Sequence, residues 1–143
     1  MKGLVVWAVI VAALGFVRPA SAEMAVIVNK DNPLAAISKT EIEMIYLGKK
    51  KLFEDGVAAV PVDLPAENAV RQEFFANVLG KDGESYRLYW VRMIFSGKGQ
   101  PPVTLKSEEE AVRFVSGNKG GIAFVDSGGV APGVKVIPIT EKK

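Results

Sequence analysis

The chain contains no cysteine and no histidine. Without cysteine there are no disulfides, no thiol nucleophile and no thiolate metal site, so packing alone must hold the fold. Without histidine the Ser-His-Asp triad and the common zinc ligand sets are gone as well. An excess of one charge is missing too: 18 basic residues face 16 acidic ones. Long apolar runs are equally scarce. Only Leu4–Val17 stands out, and it falls short of the roughly 20 residues that span a bilayer. The acids still allow carboxylate-pair hydrolysis or a hard-metal site in principle, yet their spacing matches no calcium loop. The expectation is a protein that is not an enzyme and carries no metal and no cofactor.

What is present begins with a leader. Lys2 supplies a short positive start, Leu4–Val17 an apolar core, and Ala20-Ser21-Ala22 a small-residue cleavage site. Residues 1–22 are therefore expected to be a cleaved secretory signal. An uncleaved membrane anchor is the weaker alternative, because Arg18, Pro19 and the A-x-A triplet follow the apolar run. No cysteine stands at the new N-terminus to take a bacterial lipid anchor. Removing the leader takes Lys2 and Arg18 and no acid, which leaves 16 basic and 16 acidic residues. A domain over residues 23–143 with no net charge argues against nucleic acid as a partner, and no stable membrane insertion is expected. The remaining 121 of 143 residues suit one domain with one core.

In order, Ala25–Asn29 reads as a buried strand and Asn32-Pro33 as the turn after it. Ile37–Gly48 is a fully punctuated helix. Ser38 is its N-cap, Glu41 closes a capping box, and Ile37 and Ile42 form a hydrophobic staple. Ile42, Ile45 and Tyr46 line one face, and Gly48 provides the left-handed stop. Lys49–Lys51 and the turn Phe53-Glu54-Asp55-Gly56 follow. Ala58–Val62 predicts a second strand, and Ala66–Leu79 a helix with Val70, Phe74, Phe75 and Val78 buried, stopped by Gly80. A third helix over Ser85–Ser96 places Tyr86, Tyr89, Trp90, Met93 and Ile94 at helical spacing, a pattern that reads as core. Gly97–Pro102 reads as a stop with a stiff exit; it follows a helix, so it is no phosphate cradle. Ser107-Glu108-Glu109-Glu110 opens a fourth helix through Val115, Gly121–Val125 is a buried strand, and Val134–Ile139 an edge strand with Pro138 near its end. Lys142 and Lys143 read as a frayed tail. The sum is an α/β domain with a small mixed sheet flanked by helices.

The capped helix ending in Ile45-Tyr46-Leu47-Gly48-Lys49, the Phe53–Gly56 turn, Phe95–Pro102 ("FSGKGQPP") and Gly120–Asp126 ("GGIAFVD") together resemble the periplasmic phosphate-binding protein family, the substrate-binding components of phosphate ABC transporters. The resemblance covers roughly residues 24–126. It implies a single lobe of a periplasmic-binding-protein-like fold, a periplasmic location, and a role in phosphate transport, with phosphate or another small anion as ligand and a transporter or other periplasmic protein as partner. In that family an arginine and a Ser-Gly-Thr run at a helix N-terminus hold the phosphate, where free N–H groups and the helix dipole favour an anion. At the matching place this sequence has Asp63-Leu64-Pro65-Ala66-Glu67-Asn68-Ala69-Val70-Arg71. Both hydroxyls are absent, and Asp63 and Glu67 add carboxylates. The remaining ligand-binding candidates are Asn68, Ala69, Val70 and Arg71. Arg71 could equally pair with Glu67 at i,i+4. Two functions stay open: a binding protein for phosphate or another oxyanion at this helix start, or an interaction module that kept the fold, lost the anion site, and works through a protein partner or as a homodimer.

Overall fold

The computed structural model describes residues 23–141. The expected leader over 1–22, and the tail Lys142 and Lys143, lie outside the described residues. Strand β1 (Met24–Asn29) is followed by a two-residue strand β2 (Ile37–Ser38) and helix α1 (Lys39–Tyr46). Then come β3 (Val60–Asp63), helix α2 (Ala69–Phe74), which runs on as a wider π turn over Phe75–Leu79, and helix α3 (Gly83–Phe95). The chain closes with β4 (Val103–Thr104), helix α4 (Glu108–Gly117), β5 (Gly121–Asp126), β6 (Val134–Val136) and β7 (Ile139–Thr140).

Five strands form one mixed sheet in the order β4-β3-β5-β1-β6. β3 is parallel to both β4 and β5, whereas β1 runs antiparallel to β5 and to β6. β2 and β7 make a separate parallel pair. Register sets the two faces. Val26 lies opposite Phe124 and Val28 opposite Ile122, so all four share a face, and there Phe74 of α2 stacks on Phe124 at 4.1 Å with Tyr46 tilted against Phe74 at 5.1 Å. Side chains alternate along a strand, which turns Ala25, Ile27, Ala123 and Val125 to the other face. Gly121 belongs there too, where a Cβ would stand 3.0 Å from the Val115 backbone of α4. Both faces being covered explains why β1 and β5 are continuous apolar runs.

The expected cap and stop of α1 are present in atomic detail. The Ser38 hydroxyl accepts the Glu41 N–H at 3.1 Å. Glu41 does not reach back to close the box; its carboxylate takes the Lys50 ammonium at 3.4 Å. Gly48 has φ +70°, and the bonds Gly48 N to Ile45 O and Lys49 N to Met44 O complete a Schellman stop. Further expectations need correction. α2 starts at Ala69, three residues after Ala66, because Asn68 itself caps by accepting the Arg71 N–H. α3 starts at Gly83, not Ser85, because Asp82 accepts the Ser85 N–H. Ile94 is 53% exposed and leaves the core stripe to Tyr86 and Trp90, with Tyr89 and Met93 packed partly against it. Val134–Ile139 is two strands in two sheets. β6 flanks β1, then Pro138, lacking an N–H, passes its carbonyl to Ile37 N at 3.0 Å and starts the β7 pairing. The exit after Pro102 also becomes a strand, β4, at the sheet edge.

Candidate functional site

In an open α/β sheet the ligand face lies beyond the carboxyl ends of the parallel strands. Here β3 ends at Asp63 and β5 at Asp126, and the first turns of α2 and α4 arrive at the same end. One side chain ties them together. Glu108, the first residue of α4, accepts the Asp126 N–H at 2.6 Å through one carboxylate oxygen and the Asn68 side-chain amide at 3.1 Å through the other. Asn68 is thus engaged at both ends, its oxygen capping Arg71 N at 2.9 Å.

Asp63 is 5% exposed. A buried carboxylate requires a partner, and Arg71 provides a fork: Nε to Oδ1 at 2.8 Å and Nη2 to Oδ2 at 3.2 Å. The Leu64 N–H adds a third bond to the carboxylate at 2.8 Å. The guanidinium also sits 4.0 Å from the Phe75 ring centroid, in cation–π range. Arg71 therefore pairs with Asp63 and not with Glu67. The reason is burial: Glu67 is exposed and gains little from an ion pair in water. Beneath Asp63, the Tyr46 hydroxyl donates to Val62 O at 2.9 Å. Burial, with the Asp63 charge second, pushes the Tyr46 phenol well above its usual range.

All four residues singled out in the sequence, Asn68, Ala69, Val70 and Arg71, stand at the start of α2. Ala69 and Val70 occupy the first two helical positions, whose N–H groups have no acceptor within a helix. Behind Arg71 a hollow of about 760 Å³ opens between α2 and the start of α3. Of its other cations, Arg87 is paired with Glu84 at 2.7 Å and Lys81 with Glu43 at 3.8 Å. Among the described residues no cluster of acids is placed to hold a metal ion. Glu108 is the participant that the sequence hid, since in Ser107-Glu108-Glu109-Glu110 it looks like an ordinary first-turn acid. Its role depends on the sheet bringing two helix starts together.

The architecture is a single lobe of a periplasmic-binding-protein-like fold. Solved structures that share it include proteins described as phosphate receptors or phosphate-binding proteins. An ABC-type phosphate transport receptor from Vibrio cholerae superposes with a TM-score of 0.64 at 18% identity, over 81% of this chain and 45% of that one. A Clostridium perfringens protein with bound phosphate, named for a phosphate ABC transporter substrate-binding role, gives 0.63 at 17% over 84% and 46%. Borrelia burgdorferi PstS gives 0.60 at 11% over 84% and 48%. The chain spans less than half the length of these structures. No protein-family model matches the sequence, and no curated protein matches it.

Proposed function

We propose that this chain is an exported, non-enzymatic binding protein, built on one lobe of the phosphate-receptor fold, that works through a protein partner. One observation carries the choice of partner. The side chains that would receive an oxyanion at the start of α2 are already occupied by the chain's own carboxylates: Asp63 takes the Arg71 guanidinium, and Glu108 takes the Asn68 amide. An incoming phosphate would have to break a buried fork and then sit beside Asp63, Glu67 and Glu108. Like charges that close raise its energy.

The anion reading has its own support in the Ala69 and Val70 N–H groups at a helix start. Under it the ligand is phosphate or another small oxyanion, held by Asn68, Ala69, Val70 and Arg71, and delivered to a transporter. Calorimetry of the purified protein against phosphate and sulfate separates the two. The partner reading expects no saturable heat at millimolar anion. A saturable phosphate heat that disappears in Arg71→Met would overturn it and establish the anion site.

A further inference from the structure

At the opposite end of the sheet, beside the amino end of β3, a pocket of about 370 Å³ opens between α1, α3 and the edge strand β4. Its bottom is apolar: Val60 and Pro61 line it, with Ile45 and the benzo edge of Trp90, only 4% exposed, behind them. Glycine lets the chain pack close against that edge: a Cβ on Gly48 would stand 2.9 Å from the Trp90 ring, and one on Gly99 3.6 Å. Lys50, Lys51 and Lys98 also line it, and no carboxylate does. Lys50 is paired with Glu41, but among the described residues neither Lys51 nor Lys98 forms an ion pair. In a domain whose charges balance overall, this concentrates positive potential over an apolar floor.

The apolar surface does not stop at the pocket. Pro101, Pro102 and Val103 form its far wall and continue into a shallow second depression that reaches Ile94. Val103 is 55% exposed, Ile94 53%, and Phe95, next to Ile94 in sequence, 88%. β4 is the sheet's outer strand here, and Pro101 and Pro102, which lead into it, have no N–H to offer a further strand.

We propose that this pocket and its apolar shoulder are the docking surface for an acidic polypeptide segment, which sets an aromatic or branched aliphatic side chain into the apolar bottom of the pocket, beside Trp90, and its carboxylates against Lys51 and Lys98. The proposal rests on the partner reading above and names the surface and the chemistry it selects. A polypeptide fits better than a small acid because the apolar area runs past the pocket to Ile94, beyond the reach of a pocket-sized ligand. Charge complementarity of this kind fixes orientation and speeds encounter.

Trp90 is its own reporter, with Trp90→Phe as the blank that removes any signal from Trp7. The probe is the blocked peptide acetyl-Glu-Asp-Phe-Asp-Glu-amide, titrated by fluorescence and calorimetry. Its expected signature is a saturable change in Trp90 emission that weakens as salt rises. Replacing its Phe by Ala, or its acids by Lys, should weaken binding by about tenfold or more, and so should Lys51→Glu with Lys98→Glu, at unchanged melting temperature. The proposal is overturned if the acidic peptide does not saturate at millimolar concentration, if the basic peptide binds as well, or if the lysine changes have no effect. Phenylacetate binding as tightly as the peptide would overturn the polypeptide and leave a small-acid site. A phosphate heat in the earlier calorimetry would strike the partner reading alone, since the two sites lie at opposite ends of the sheet.

Discussion

Arg71 is held on three sides, by the two oxygens of Asp63 and the face of Phe75. Removing it strands a carboxylate that is 5% exposed. Arg71→Met is therefore expected to destabilise by about 3 kcal/mol, the cost of breaking a buried pair from one side. Asp63→Asn combined with Arg71→Met should recover part of that loss, because no charge is then left buried. Urea unfolding of parent, single and double variants measures the coupling. If the single change costs nothing, the fork is not a buried structural pair and the guanidinium is available to a ligand. Gly120 makes a second case at this scale. Its φ is unremarkable, but a Cβ would run into the Ala58 carbonyl, so the residue permits a close approach of β5 to the chain entering β3.

At the scale of elements, α1 is the most self-sufficient piece. Ser38→Ala removes the acceptor for the Glu41 N–H and should cost about 1 kcal/mol. Gly48→Val should cost more, since it opposes a left-handed φ of +70° and pushes into Trp90 at 2.9 Å. Thermal denaturation ranks them; an equal or reversed order would mean that the Schellman stop and the Trp90 contact do not constrain α1. This helix was legible because its signals are local: cap, staple and stop all lie within twelve residues. The buried strands, the stripe of α2 and the Ser107 cap of α4 were legible for the same reason. β2, β4 and β7 were not. Two-residue strands carry no period, and each exists only because a distant strand offers it a partner. The starts of α2 and α3 were misplaced by two or three residues: Asn68 caps from inside what reads as helical sequence, and Asp82 caps from three residues before it. The site was half legible. Asp63 and Arg71 were visible as charges, but their fork crosses eight residues of turn and helix start, and Glu108 reaches Asn68 from 40 residues away.

For the whole molecule, the absence of histidine leaves stability flat through neutral pH and hands its alkaline limit to the phenols. Burial raises the pKa of both Tyr46 and Tyr86. In the unfolded chain they ionise near 10, whereas in the folded one they stay protonated to higher pH. Above pH 10 the unfolded state binds fewer protons, so stability should fall as pH rises. Denaturation midpoints from pH 8 to 11.5 should decline only in the upper part of that range. Tyr46→Phe, although less stable for losing its bond to Val62 O, should show a shallower decline. An identical slope would mean that the phenols are not what titrates.

The position of β1 in the sheet has a kinetic consequence. Among the described residues its only neighbours are β5 and β6, roughly a hundred residues later in the chain, and β2 likewise waits for β7. Closing loops of that length is an entropic cost that precedes any reward. The first strand therefore stays unpaired until nearly all the rest has been made, and no early folding nucleus can include it. A chain with this topology remains threadable for most of its synthesis, the condition a polypeptide must meet if it is to cross a membrane before it folds.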